Sequence, residues 1–300
     1  MEMGANTKRL LIWAALGLAA AAVALLAVYA LSGLRGAKFE EIFGRNIQKA
    51  RLVGRMRVNL YAVAEAEKSA VLAETDEASQ EYARLSRLSA EKVAAALAEC
   101  KGLVSRPSPD ADLLRRFEEA FAGFRKVNEE VLGLAVQNTN LKAQALSFEQ
   151  SSAALARMEQ ALSPYLEGLR GTPKAGRVAA RALAEALRIQ ALQAPHIMEK
   201  TEARMAELEA RMADADRLAR ASLSYLGNIL GGRDAAVPAL AAYEDFHKVT
   251  VEVVRLSREN TNVRSLVLTL DRRTKALALC DEALHALEEK IHADMAKGTR

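Results

Sequence analysis

The feature that most constrains this chain is that it repeats itself. Moved along itself by about 122 residues, the sequence brings Phe124-Arg-Lys-Val-Asn-Glu-Glu-Val131 onto Phe246-His-Lys-Val-Thr-Val-Glu-Val253, and Asn138-Thr139-Asn140 onto Asn260-Thr261-Asn262. Ala154-Leu155-Ala156 then meets Ala276-Leu277-Ala278, and about a third of the positions from Phe117 to Leu162 are identical without a gap. A period of this length marks a duplicated structural module, so whatever the first copy builds the second must build again.

What each copy builds is read from its punctuation. Ala, Leu, Glu, Arg and Lys dominate while Gly, Pro and aromatic residues are sparse, a balance that favours helix over sheet. Breaks fall at Asp76, Arg106 to Asp110, Gly168 to Pro173, Pro195 and Asn228 to Asp234. Between them the pattern predicts helices over 38–74, 77–104, 110–137 and 140–168, then over 174–194, 197–229, 235–259 and 262–296. Leu141, Phe148, Leu155, Leu162 and Leu169 recur every seven residues in the last helix of the first copy, as do Leu270, Leu277, Leu284 and Ile291 in the second. A seven-residue period keeps one seam against its neighbours, and short connections imply antiparallel ones. The expected fold is all-α: an N-terminal transmembrane helix, then two tandem up-down four-helix-bundle modules over 52–170 and 171–297, with a tail at 298–300.

Leu10 to Leu34 is an almost unbroken apolar run without a charge, with Trp13 and Tyr29 near its two ends. About 20 helical residues cross a bilayer core, so 10–34 is expected to span and to contact membrane lipid, with 1–9 cytoplasmic and 35–51 a helical stalk. A cleavable signal peptide is the competing reading, from Lys8, Arg9 and the small residues around Val28-Tyr29-Ala30, but typical apolar regions of such peptides are only about 7 to 15 residues long. Arg35, Lys38, Arg45 and Lys49 outnumber Lys8 and Arg9, so flanking charge alone does not orient the span.

The search for chemistry is mostly negative. The net charge of +4 is spread as interleaved acids and bases, the pattern of solvated helix faces, and argues against nucleic-acid binding. Cys100 and Cys280 fall at apolar positions of helices in different copies and read as small buried residues. Three Glu-x-x-His spacings, Glu244 to His247, Glu282 to His285 and Glu289 to His292, invite comparison with di-iron bundles. His247 and His285 would differ in height by roughly 18 Å if helices three and four turn at Asn260, too far for one metal centre. No phosphate loop or nucleophile elbow appears, so no enzyme activity, cofactor or metal is expected. Two polar groups remain. Asn138, Thr139 and Asn140, with Asn260, Thr261 and Asn262, are expected to cap the starts of the fourth helices. Arg51, Arg55 and Arg57 are the candidates to receive a carboxylate ligand.

With these elements placed, Glu67-Lys68, the pattern Phe124-x-x-Val127-x-x-Glu130-Val131-x-x-Leu134-x-x-x-Asn138-Thr-Asn140 and its echo from Val253 to Leu266 resemble the four-helix-bundle sensory domain of bacterial methyl-accepting chemotaxis receptors. The resemblance implies a periplasmic bundle on the inner membrane that binds a small organic or amino acid ligand between helices, with a homodimer and a partner signalling protein as further partners. The last helix is followed only by Lys297-Gly-Thr-Arg300, so a signalling domain and transmission through a second span are not expected within this chain. The expected function is a membrane-anchored, chemoreceptor-like sensory or ligand-binding bundle. The alternative is a structural spacer or scaffold of the cell envelope.

Overall fold

The computed structural model describes residues 43–105, 107–231 and 236–298. The expected membrane span at 10–34 and the segments 1–9 and 35–42 lie outside the described residues. Among the described residues no helix is long and apolar enough to cross a membrane.

Every regular element described is helical. In chain order they are α1 (43–72), α2 (Asp76–Gly102), α3 (Pro109–Ala135), α4 (Thr139–Ala145), a π-helical turn at Leu146–Ser151, α5 (Ser152–Leu166), α6 (Pro173–Ile197), α7 (Glu202–Ile229), α8 (Val237–Glu259), α9 (Thr261–Leu268), a second π-helical turn at Thr269–Arg273, and α10 (Thr274–Gly298). Caps explain several starts. Thr75 Oγ1 accepts from the N–H of Ala78 at 3.1 Å and Ser108 Oγ from Ala111 at 3.2 Å; Thr172 Oγ1 accepts from Ala175 at 3.3 Å, with Pro173 at the first helical position. Gly171 has a positive φ of 76°, and a Cβ there would lie 3.1 Å from Ala175 Cβ and 3.3 Å from Leu230 Cδ2, so the α5–α6 turn needs glycine for both conformation and room. Pro195 does not end α6 as expected: it falls in the last turn, and the helix runs on to Ile197.

The chain divides into two compact units, and neither follows the expected division at residues 170 and 171. Of the described residues, one comprises those within 43–59, 91–120 and 279–298, the other those within 60–90 and 121–278. In the first unit α10 lies against α1, with Arg57 Nη1 donating to Glu288 Oε2 at 2.7 Å and Arg57 Nε lying 3.2 Å from Asp281 Oδ1. Lys49 is buried there against Asp110 at 2.5 Å, so the described part of the expected stalk packs as the start of α1. In the second unit the same partnership recurs, with Arg273 paired to Glu67 of α1 and Arg272 Nη1 3.1 Å from Glu130 Oε2 of α3.

The fourth helices have therefore changed places. Ala154, Leu155, Met158, Leu162 and Tyr165 of α5 share a core with Ala175 to Leu192 of α6, Leu208 to Leu226 of α7, and Tyr243 and Phe246 of α8. Helices α9 and α10 instead serve α1, α2 and α3. In the second copy only Asn260 separates α8 from α9, which leaves no loop for the expected up-down return between helices three and four. A helical hairpin needs a loop of about 2–5 residues. Asn260 and its repeat partner Asn138 adopt the left-handed conformation, with φ of 52° and 51°.

The heptad seam also needs correction. Leu155, Leu162, Leu284 and Ile291 are buried, but Phe148 is 74% exposed, Leu270 69% and Leu169 74%. A π turn adds a residue to the helix and rotates the stretch beyond it, so before and through each turn the buried positions run every fourth residue: Thr139, Ala143, Ser147, Ser151, and again Thr261, Ser265, Thr269, Arg273.

Candidate functional site: the paired crossover and the groove beside it

The Asn-Thr-Asn motifs meet within the second unit. The N–H of Thr139 donates to Thr261 Oγ1 at 3.2 Å and that of Thr261 to Thr139 Oγ1 at 3.1 Å; the N–H of Asn140 donates to Asn262 Oδ1 and that of Asn262 to Asn140 Oδ1, each at 3.2 Å. Asn140 Nδ2 donates to Asn260 Oδ1 at 2.9 Å and Asn262 Nδ2 to Asn138 Oδ1 at 3.0 Å. The expectation of capping thus needs one change. Neither Asn138 nor Asn260 caps its own helix through its side chain, and the first N–H groups of each fourth helix are satisfied by the other copy.

Each crossover is tied to a nearby turn. Asn138 Nδ2 donates to Asp76 Oδ1 at 2.9 Å, which with Lys142 holds that carboxyl below its ordinary range, and Asn260 Nδ2 donates to the Glu199 carbonyl at 2.9 Å. Close by, His196 is fully buried. Ser257 Oγ donates to the His196 carbonyl at 2.9 Å, so its one proton is spent and it accepts from His196 Nδ1 at 2.8 Å. His196 Nε2 lies 2.8 Å from Glu209 Oε1. Arg258 Nε and Nη2 also bind Glu209, at 2.6 and 3.0 Å, and this contact is the main cause that holds the Glu209 carboxyl low.

A cavity of about 280 Å³ opens beside this cluster, lined on its apolar side by Ile189, Met212 and Val254 and on its polar side by Glu209, Asp216, His247 and Thr250. Asp216 accepts from Tyr243 Oη at 2.7 Å and Arg220 Nε at 2.9 Å, with His247 Nδ1 at 3.2 Å. The Tyr243 hydroxyl is pushed well above its ordinary range, by burial first and by Asp216 second. The groove thus joins an apolar wall to preorganised polar ends, an arrangement suited to a small ligand with a polar group.

The arginine candidates are not brought together. Arg51 and Arg55 line an open depression with Glu99, Arg55 Nη1 lying 3.5 Å from Glu99, whereas Arg57 is engaged by Asp281 and Glu288. Of the Glu-x-x-His pairs, Glu244 binds Arg220 while His247 faces Asp216, and among the described residues no group of three or more His, Cys, Asp or Glu is placed to hold a metal. Cys100 and Cys280 are free and buried. Sequence reasoning missed His196, because Pro195-His196 read as a turn; the signal was the lone polar ring one residue before Ile197, on the buried stripe of α6.

Comparison with known proteins gives a single finding. A family described as a four helix bundle sensory module for signal transduction matches residues 5–167, slightly over half of the chain and nearly all of its first copy. No curated protein and no solved structure matches. The second copy lies beyond the matched residues and is tied to the first by the repeat and its shared crossover. On the match and the helical architecture together, this chain belongs to the four-helix-bundle sensory modules of chemotaxis receptors.

Proposed function

We propose that this chain is a membrane-anchored sensory module that binds a small organic or amino acid ligand in the α6–α8 groove and acts through a partner signalling protein. The anchor is residues 10–34, and the helical part faces the periplasm. Support for the anchor comes from the uncharged apolar run and from a family match that begins at residue 5 and so includes it.

The observation that carries the ligand reading is the groove. Its apolar residues come from the first three helices of one copy, Ile189, Met212 and Val254, and its polar ends are fixed in place by Arg258 and Arg220 before any ligand arrives. Fixed polar ends lower the ordering cost of binding. The test is a thermal-shift panel of organic and amino acids on the full chain in detergent. A ligand at 100 times its Kd adds about 2.7 kcal/mol to the folded state, so at least one compound should raise the midpoint. Val251→Trp, which fills the groove mouth from an exposed position, should abolish the shift. A flat response to every compound would favour the spacer reading.

A further inference from the structure

The two π turns carry the same backbone and different chemistry. Around the first, Ser147 Oγ donates to Gln193 Oε1 at 2.6 Å, and Gln193 Nε2 donates to Thr250 Oγ1 at 2.9 Å and to Ser151 Oγ at 3.4 Å. This layer is buried, neutral and closed. Around the second, Thr269 and Arg273 stand 122 residues after Ser147 and Ser151, and both turn to Glu67 of α1: the Thr269 hydroxyl donates to one carboxylate oxygen and Arg273 pairs with the other. Glu67 is fully buried and Arg273 is 4% exposed. Arg273 Nη2 has no hydrogen-bond partner among the described residues, so the guanidinium depends on this single carboxylate.

Glu67 of α1 and Gln193 of α6 thus play the same part toward different fourth helices. Suppose each fourth helix packed instead on the three helices before it, in one chain or between two. Glu67 would then face Ser147 and Ser151, and Arg273 would face Gln193. Each arrangement buries an ion with no counter-ion, which costs far more than a matched neutral pair. The apolar stripes do not make this distinction.

We propose that the charged layer of Glu67 and Arg273, set against the neutral layer of Gln193, Ser147 and Ser151, is a pairing code that directs α9–α10 onto α1–α3 and α4–α5 onto α6–α8. The code works by penalising the like-with-like alternative, the usual device for choosing between similar partners. The same mismatch is penalised between chains as within one, whereas an exchange that keeps Glu67 against Arg273 is left unopposed.

The code is read with cysteine pairs in the full chain. Glu130→Cys with Arg272→Cys reports the observed pairing, since these exposed side chains lie 3.1 Å apart. Glu252→Cys with Arg272→Cys reports the alternative, because Glu252 is the repeat counterpart of Glu130. Cys100 and Cys280 can stay: burial pushes their thiols up to about 11 and about 12, and a bis-maleimide leaves them alone. In the parent chain the crosslink should form at 130–272 alone. Moving the acid, by Glu67→Gln with Gln193→Glu, should shift the dominant crosslink to 252–272 by about tenfold or more. Making both layers neutral, by Glu67→Gln with Arg273→Ser, should yield both crosslinks within about threefold of each other. A transplant variant that is helical by circular dichroism yet crosslinks only at 130–272 would overturn the proposal. Should the transplant fail to fold, the neutral variant decides by itself: a surviving preference above about tenfold for 130–272 rejects the code.

Discussion

The surroundings of the two π turns differ in what they would lose. The layer at Leu146–Ser151 is a set of neutral hydrogen bonds in which hydroxyls and an amide can reorient when one partner goes. The layer at Thr269–Arg273 is a buried ion pair, with no second carboxylate in hydrogen-bond contact with the guanidinium among the described residues. A duplicated scaffold has thus kept its geometry while its two copies moved apart in tolerance. Buried charge makes an interface selective without necessarily making it stable.

This contrast can be broken by measurement. The largest effect is expected for Arg273→Ala, which leaves Glu67 buried and unpaired and should cost about 3–5 kcal/mol in denaturant unfolding at neutral pH. Replacing both partners, by Glu67→Leu with Arg273→Met, should return most of that loss, as apolar substitutes for buried ion pairs generally do. Gln193→Ala should cost less, about 1–3 kcal/mol, because it strands neutral groups only. Equal losses for Arg273→Ala and Gln193→Ala would erase the distinction between the layers.

The smallest effect is in pH. Burial holds the Glu67 carboxyl above its ordinary value of 4.5, and Thr269 and Arg273 offset this only in part. The native state then binds the proton more tightly than the unfolded chain. Stability from this group is full below pH 4.5 and is lost as pH rises through the raised value. The stability difference between the parent chain and Glu67→Gln should therefore shift against the parent over that window. A shift in the parent's favour would mean that Arg273 outweighs burial.

Much of this fold was legible in the sequence. Helix ends were marked by residues with local reasons to end a helix, such as Pro109, Thr172 and Gly171, and the predicted bounds of α2 and α3 fall within two residues of those observed. Asn138 to Asn140 stood out because it occurs twice. What the pattern could not supply was the partner. An apolar stripe specifies that a helix is covered and not by which neighbour, so exchange of the fourth helices left no trace in the periodicity. The π turns were hidden for a related reason. Leu141, Phe148, Leu270 and Leu277 drew the seam, while the buried row was made of Ser147, Ser151, Thr269 and Arg273, polar residues that only a shared layer makes sense of. In the groove, Glu209 and Asp216 looked like ordinary solvated acids until α6 and α8 brought His196, Arg258 and Tyr243 to them.

The reciprocal bonds at Thr139 and Thr261 make each copy the other's starting block. Beginning a helix is its most costly step, and here that step in one copy draws on atoms encoded about 122 residues away. Neither copy is a spare. Loss of either by deletion would remove four helices and also blunt the first turn of a fifth, so the duplication, once joined in this way, is difficult to reverse.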